Sequence, residues 1–233
     1  MQEDVKYRTL LNDDFISACR DYFYLVNRHF PERGVLKLIG DRYRLDGDQR
    51  TVLYRGISSQ KRSEFRKKLL VSDITGRDLI IDGYNVLFTL LNYRLGKITF
   101  ISTDNILRDA GSLHGKFREG ETFIECVGML VDYLIHIQPA SVDIYLDSPV
   151  SHSEKHAQMI REKLQINHLR GNCQVIRTAD WALSQNRHCV SATSDTAIIE
   201  KAVTPVADLP RMILGYFYEP QFLMLGGLIP ELE

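Results

Sequence analysis

An alternation of short apolar segments with longer amphipathic segments begins at residue 78 and constrains the fold more than any other feature of the sequence. The short segments have the β-branched and apolar content of buried strands, and the longer ones carry apolar residues at helical spacing. Strands are predicted at DLIID (78–82, running into a turn at GYNV), KITFIST (97–103), SVDIYLD (141–147), NCQVIRT (172–178) and HCVSATSD (188–195), and helices at VLFTLLNYRL (86–95), ETFIECVGMLVDYLIHI (121–137), SEKHAQMIREKLQIN (153–167), ADWALSQNR (179–187) and TAIIEKA (196–202). Strands that alternate with helices form right-handed βαβ units. We therefore expect an α/β domain with a mainly parallel sheet covered on both faces.

The first 75 residues lack this alternation and are typical of a small, mostly helical module. Helices are predicted at residues 13–29, 45–57 and 58–71. Acidic residues open the first of them, and either Asp46 or Asp48 is placed to begin the second. The sequence thus predicts two domains, a helical module at residues 1–75 and an α/β domain at residues 76–233.

Positive charge is concentrated in the helical module. Residues 1–75 hold 15 Lys and Arg against 11 Asp and Glu, whereas the remainder holds 14 against 19. The most basic segment contains Lys61, Arg62, Arg66 and Lys67. A charge run on a helix is either a solvated face or a surface that binds the RNA backbone, and RNA is the partner predicted here.

Aspartates mark the carboxyl ends of the predicted strands. Asp82, Asp147 and Asp195 end strands, and Asp180 follows another strand at the start of a helix. The carboxyl ends of parallel strands form the usual binding crevice of an open sheet. Carboxylates gathered there repel one another unless a cation neutralises them, and an oxygen-only ligand set suits Mg²⁺ or Mn²⁺. The pattern predicts metal-dependent hydrolysis of phosphodiesters.

Each aspartate also has a structural interpretation. An Asp that follows a strand often caps the next helix, and Asp180 and Asp195 are well placed to do so. The sequence leaves both interpretations open for each position. The repetition of the same residue at successive strand ends favours a shared site.

The motifs DGYNV (82–86), YLD (145–147), AD (179–180) and TSD (193–195) occur in the order and approximate spacing of PIN-like nucleases of the NYN branch, which the second domain resembles. The whole chain is also similar to an uncharacterised, largely archaeal family with two consecutive domains, DUF434 followed by DUF5616. That similarity rests on GDRYRL, RDAGSLHGKFR, LDSPVSHS and ATSDTAII. These resemblances imply a three-layer α/β/α PIN-like fold and cleavage of RNA with Asp82, Asp147, Asp180 and Asp195 as the metal-binding and catalytic acids.

The PIN-like resemblance implies a further acid on the helix between the first two acidic strands. Glu121 and Glu125 lie one turn apart there, and Glu121 is preferred because it is nearer the helix N-terminus. Beside the acids, Asn85 is expected to bond Asp82 or a metal-bound water, or to be a turn residue. Ser194 and Thr196 are expected to hold the carboxylate of Asp195 or a phosphate.

The segment RDAGSLHGKFR (108–118) has no clear strand or helix pattern and carries four basic side chains. These residues are Arg108, His114, Lys116 and Arg118. Cations near an acidic site are suited to binding RNA phosphates, and a solvated loop is the alternative. Trp181 next to Asp180 either stacks on a base or packs in the core.

The leading hypothesis is therefore a metal-dependent ribonuclease, and its alternative is a non-catalytic RNA-binding or scaffold protein with the same fold. A phosphatase of the haloacid-dehalogenase type requires a second Asp two residues after the first, where this chain has Tyr84. A dinucleotide-binding domain requires a GxGxxG loop after the first strand, which is absent.

Nothing in the sequence predicts a secreted or membrane protein. The first twenty residues are charged throughout, and the apolar C-terminal segment is interrupted by Glu219 and Pro220. The four cysteines form no CxxC pair, so reduced thiols and a cytoplasmic location are expected. The aromatic tail around Phe217 and Phe222 is either core or the interface of a homo-oligomer.

Overall fold

The structure is a computed structural model that describes residue 7 and residues 9–111 and 120–230. It divides into two compact units, which differ from the predicted domains. The first unit contains Met1–Lys68, Asn92–Gly111 and Pro220–Glu233, and the second contains Leu69–Leu91 and Ser112–Glu219. The predicted boundary at residue 75 is thus close, but two later segments belong to the first unit. Among the described residues, no helix has the length and apolar content to cross a membrane.

The secondary structure follows the predicted alternation closely. The α-helices are α1 (Asp13–Asn27), α2 (Glu32–Arg42), α3 (Gly47–Gly56), α4 (Gln60–Leu69), α5 (Gly83–Arg94), α6 (Glu121–Ile137), α7 (Ser153–Ile166), α8 (Ala179–Gln185), α9 (Thr196–Ile199) and α10 (Leu209–Tyr218). The strands are β1 (Leu70–Val71), β2 (Asp78–Asp82), β3 (Thr99–Ile101), β4 (Leu107–Asp109), β5 (Ser141–Asp147), β6 (Gly171–Ile176), β7 (Val190–Ala192), β8 (Val206–Ala207) and β9 (Leu223–Met224), and a 3₁₀ helix spans Leu225–Leu228.

Helices α1 to α4 form the first unit together with a small sheet. Of the two candidates, Asp46 and Asp48, it is Asp46 that begins α3, through a reciprocal pair of bonds with Gln49. The small sheet has the order β4-β3-β9, with β3 antiparallel to β4 and parallel to β9. KITFIST is therefore a strand, but it belongs to this sheet and not to the parallel sheet of the α/β domain.

A buried ion-pair network joins α4 to the segment around β4. Both carboxylate oxygens of Asp104 accept from Arg108 at 2.7 and 2.9 Å, and Oδ2 also accepts from Arg66 Nη1 at 2.9 Å. The exposed fraction is 1% for Asp104 and 2% for each arginine. The expectation that Arg66 and Arg108 contact RNA is therefore wrong for this folded unit, because their guanidinium groups are enclosed and paired with Asp104.

The second unit is an α/β domain, as predicted. Its six-stranded sheet has the order β1-β8-β7-β2-β5-β6, and every neighbouring pair is parallel. From β2 the chain runs outward through β5 to β6, and it then returns to β7 on the other side of β2. Right-handed crossovers therefore place α7, which follows β5, and α8, which follows β6, on opposite faces of the sheet.

The direction of the chain reverses between β2 and β7, which makes this pair the topological switch point of the sheet. Loops that leave adjacent strands toward opposite faces open a crevice at the carboxyl edge, where ligands bind in folds of this type. On one face, Ile80 of β2 packs with Ala179 and Leu183 of α8 and with Ile198 of α9. This packing fixes both helices beside the carboxyl end of β2.

Gly83 is required at the junction of β2 and α5 because no side chain fits there. A Cβ atom at this position would lie 2.5 Å from Leu146 Cδ2, 2.9 Å from Ile144 Cγ2 and 3.0 Å from the Tyr145 carbonyl oxygen. We expect Gly83→Ala to destabilise the protein by about 1–3 kcal/mol through this overlap. Urea unfolding measures the change.

Gly128 of α6 provides the matched control for Gly83. A Cβ there would meet no atom within 4 Å. Gly128→Ala is therefore expected to gain up to about 1 kcal/mol from helix propensity. If the two variants were equally stable, the β2–α5 junction would have room for a methyl group, and the close packing at Gly83 would be contradicted.

Candidate functional site

Three of the four predicted aspartates lie at the ends of neighbouring strands. Asp82 is the last residue of β2 and is buried, and Asp147 is the last residue of the adjacent β5. Asp195 follows β7, the other neighbour of β2, and immediately precedes α9. Asp180 is the second residue of α8, which packs on β2 and β5. The topology of the sheet thus brings the four residues to one edge.

Asp82 is held by donors from both sides of the switch point. Its Oδ1 accepts from the backbone N–H of Asn85 at 3.3 Å, and its Oδ2 accepts from the hydroxyl of Thr193 at 3.1 Å. The Thr193 oxygen accepts in turn from the N–H of Asp195 at 3.1 Å. One hydroxyl therefore links the first and the last of the predicted acids. Thr193 is fully buried, and the sequence interpretation assigned it no role.

The side chain of Asn85 fixes the loop after β7. Its Oδ1 accepts from both the N–H and the hydroxyl of Ser194, at 2.8 and 3.0 Å. Asn85 thus bonds Asp82 as expected, but through its backbone N–H, while its side-chain oxygen holds Ser194. Ser194 is bonded to Asn85 through both its N–H and its hydroxyl.

Asp195 is both a helix cap and a member of the acidic edge. Its Oδ1 accepts from the N–H groups of Ala197 and Ile198 at 2.7 and 3.2 Å, so it caps α9. The predicted hydroxyl donor Thr196 does not supply these bonds. The Oδ2 atom of Asp195 has no hydrogen-bond partner among the described residues. Oδ1 therefore stabilises the start of α9, whereas Oδ2 is available to a ligand.

Asp147 uses its oxygens in the same way. Its Oδ1 accepts from the N–H of Ala179 at 2.7 Å, which ties the first turn of α8 to the end of β5. The residue at the N-cap position of α8 is Thr178, so the interpretation of Asp180 as the cap of this helix is wrong. Asp180 is the second residue of the helix and is exposed.

The aspartates influence one another electrostatically. Burial and the charge of Asp147 raise the pKa of Asp82 from its ordinary 3.8 to about 7, while the donors Thr193 and Asn85 lower it and Asp180 raises it further. Burial raises the pKa of Asp180 as well, with added contributions from Asp195 and Asp147, while Lys201 lowers it in part. The edge thus holds more negative charge than its own donors compensate.

The raised pKa of Asp82 predicts a pH-dependent stability when divalent cations are absent. The folded state binds this proton more tightly than the unfolded chain, so the contribution is complete below pH 3.8 and is lost as pH rises through about 7. The loss is on the order of 4 kcal/mol. Urea unfolding with EDTA at pH values across this window measures it.

Two variants isolate the contribution of Asp82 from those of other groups. Asp82→Asn is expected to lack the decline and to exceed the parent in stability above neutral pH. Asp132→Asn, at an exposed position of α6, is expected to follow the parent throughout. A parent and an Asp82→Asn variant with parallel pH profiles would contradict the expectation.

The donor chemistry of this edge fits a hard divalent cation, but a complete ligand set is not formed. The side chains are oxygen donors that repel one another, which is what Mg²⁺ or Mn²⁺ neutralises. Within residues 9–111 and 120–230, however, no group of three or more His, Cys, Asp or Glu is arranged to hold a metal ion. The acidic edge therefore matches such a cation in charge and in ligand type, but among the described residues it does not present a formed set of ligands.

Glu121 and Glu125 do not lie among the residues that raise the pKa of the aspartates. Both are exposed on α6 and line a separate surface groove with Lys155 and Lys163 of α7. In this structure, neither Glu121 nor Glu125 therefore supplies the additional acid that the PIN-like resemblance implies beside Asp82.

Beneath the site lies a buried pair that the sequence did not indicate. The hydroxyl of Tyr84 and Nδ1 of His156 are 2.8 Å apart, and His156 is fully buried against Phe123. A lone histidine on a polar helix gave no signal of burial. Its contact with Tyr84 joins α7 to the residue two positions after Asp82.

The remaining predicted RNA contacts divide into three groups. Lys61 and Lys67 are exposed on α4, as a binding surface requires. Arg62 forms an ion pair with Glu32. The predicted residues His114, Lys116 and Arg118 lie outside the residues that the structure describes.

The fold and this edge define an α/β protein with an acidic site at the topological switch point of a parallel sheet. Residues 71–212 match the family described as a domain of unknown function, DUF5616, and residues 14–68 match the one described as a protein of unknown function, DUF434. The chain belongs to the DUF5616 family, in the two-domain arrangement that its motifs predicted. Uncharacterized protein MJ0935 of Methanocaldococcus jannaschii is 32% identical over 202 residues, which cover 85% of this chain and 96% of that protein. No solved structure matches the chain.

Proposed function

We propose that the chain is a metal-dependent ribonuclease of PIN/NYN-like type that hydrolyses RNA phosphodiester bonds at the edge formed by Asp82, Asp147, Asp180 and Asp195. The position of the four aspartates at the topological switch point carries the proposal, together with the raised pKa of Asp82 and of Asp180, to which neighbouring aspartates contribute. Burying one carboxylate, that of Asp82, beside three others destabilises a protein, so a cluster of this kind is expected where a ligand supplies the missing charge.

The four aspartates would hold Mg²⁺ or Mn²⁺ through carboxylate oxygens. When bound, such an ion neutralises the edge and polarises both a water molecule and the phosphate. Thr193 and the N–H of Asn85 orient Asp82 and favour its ionised form. Asn85 keeps the loop after β7 in place through Ser194.

Cations near the site would bind RNA phosphates. Lys201 is exposed and close enough to Asp180 to lower its pKa, so it is placed to contact a phosphate there. The exposed Lys61 and Lys67 of the first unit would add affinity that depends on salt but not on sequence.

The four cysteines form no disulfide bond, which fits the reducing cytoplasm proposed as the location.

Incubation of the parent protein with an end-labelled single-stranded RNA tests the activity directly. Cleavage is expected with Mg²⁺ or Mn²⁺ and is expected to disappear with EDTA. RNA that binds but stays intact with either ion would replace the proposal with the alternative, a non-catalytic RNA-binding protein.

A further inference from the structure

The single tryptophan of the chain is on the surface beside the acidic edge. Trp181 is 67% exposed, although a lone tryptophan more often packs in a core. On helix α8, the side chains of Ala179 and Leu183 are buried and pack with Ile80. Trp181 lies between these two positions in sequence and therefore on the opposite side of the helix. The interpretation of Trp181 as core is wrong.

The surroundings of Trp181 combine its aromatic ring with charges suited to a nucleic acid. Asp180, one of the four acids, precedes it directly, and Lys201 lies near Asp180. At the other end of α8, Nη1 of Arg187 donates to the carbonyl oxygens of Ser184 and Asn186 at 2.8 Å each. Cations thus lie toward both ends of this short helix, with the indole on its exposed side.

We propose that Trp181 is a stacking site for an unpaired base of single-stranded RNA next to the cleaved phosphodiester. The inference rests on the proposed function for the identity of the ligand. An indole offers a flat apolar surface at a low cost in conformational entropy, and every base has a matching face. Lys201 and Arg187 are placed for phosphates on either side of the stacked nucleotide.

Stacking on Trp181 selects single strands over duplexes. A base within a duplex is already stacked on its neighbours and does not present its face, whereas an unpaired base does. The site therefore favours loops and single-stranded ends of RNA and tolerates any base. Its contribution is to hold one nucleotide in register with the acidic edge.

Intrinsic fluorescence tests the stacking site, because the chain contains one tryptophan. Titration of the parent with an unstructured oligouridylate, in buffer with Ca²⁺ in place of Mg²⁺ and with the RNA checked for intactness, is expected to quench the emission to saturation. A duplex of equal length is expected to quench much less. Anisotropy of a labelled oligouridylate is expected to show binding about tenfold weaker for Trp181→Ala and nearly unchanged for Trp181→Phe.

Tyr216→Ala supplies the matched control, since it removes another exposed aromatic side chain of the same unit. It is expected to bind RNA as the parent does. Equal affinity of Trp181→Ala and the parent, RNA binding without quenching, or no RNA binding would each overturn the stacking site. So would emission that changes with protein concentration alone, which would mark a contact with a second copy.

The same measurements separate this inference from the proposed activity. A protein that cleaves RNA but whose emission does not respond to it would lose only the stacking site. A protein whose emission is quenched by RNA that it never cleaves with Mg²⁺ or Mn²⁺ would lose only the ribonuclease proposal.

Discussion

Asp104→Asn is expected to destabilise the first unit by about 3–5 kcal/mol, which is the cost of removing one partner from a buried ion pair. Burial alone would raise the pKa of Asp104, but the charge and hydrogen bonds of Arg108, together with Ser102 and Arg66, hold it well below its ordinary range. The amide retains the shape of the carboxylate and loses its charge. Two buried guanidinium groups then lose the carboxylate that they share. Urea unfolding, with hydrogen exchange of β3 and β4 amides, measures the effect.

A surface pair of the same unit provides the control for Asp104. Arg50 Nη2 and Asp41 Oδ1 are 2.9 Å apart, with Asp41 exposed and Arg50 partly exposed, so Asp41→Asn is expected to change stability by less than about 1 kcal/mol. A triple change of Asp104 to Leu and of both arginines to Met is expected to recover most of the loss, because it removes the buried charges together. If Asp104→Asn and Asp41→Asn cost the same, water must reach the network and the burial described here is wrong.

The fold could be predicted from sequence wherever local pattern decides it. The periodicity of residues 141–147 and 153–167 placed β5 and α7 almost at their observed bounds. Strand pairing is not local, and it was here that prediction failed. Residues 97–103 have a strand pattern that suits either sheet, and only the fold shows that β3 pairs with β4 and β9.

Burial of polar residues was the second limit. Arg66 and Arg108 looked like a surface that binds RNA because arginine is mostly exposed, yet they share Asp104 in the core of the first unit. The sequence also gave no sign that His156 is buried, and it left open whether Trp181 is in the core or, as observed, exposed. In each case the outcome depends on partners distant in sequence, which composition and spacing do not specify.

The sequence left open whether each aspartate is a helix cap or a catalytic acid, and the structure shows that the first role does not exclude the second. Asp195 caps α9 and Asp147 anchors α8, each through a single oxygen. A carboxylate has two oxygens and about four lone pairs, so the structural bond orients the group without exhausting it. These bonds therefore fix the orientation of the two carboxylates and do not occupy their second oxygens, which the proposed metal ion would use.

Asp82→Asn is expected to lower RNA cleavage at least about a hundredfold while raising stability above neutral pH. The first effect follows because the variant removes a charge at the centre of the proposed metal site, where charge stabilisation is worth several kcal/mol in the transition state. The second follows from the raised pKa of Asp82, whose ionised form opposes folding. Initial rates on labelled RNA with Mn²⁺, and urea unfolding of the same preparations with EDTA, give the two values.

The opposite signs of these effects make the result specific to an active site. A variant that loses cleavage because it misfolds also loses stability, so inactivity combined with a gain in stability excludes that explanation. Asp132→Asn, exposed on α6, is expected to leave both quantities unchanged. Thr193→Val is expected to reduce cleavage about 10- to 100-fold by removing the hydroxyl that orients Asp82, and Thr193→Ser to retain most of it. An Asp82→Asn variant that cleaves like the parent would place the reaction elsewhere in the chain and leave the four aspartates without a catalytic role.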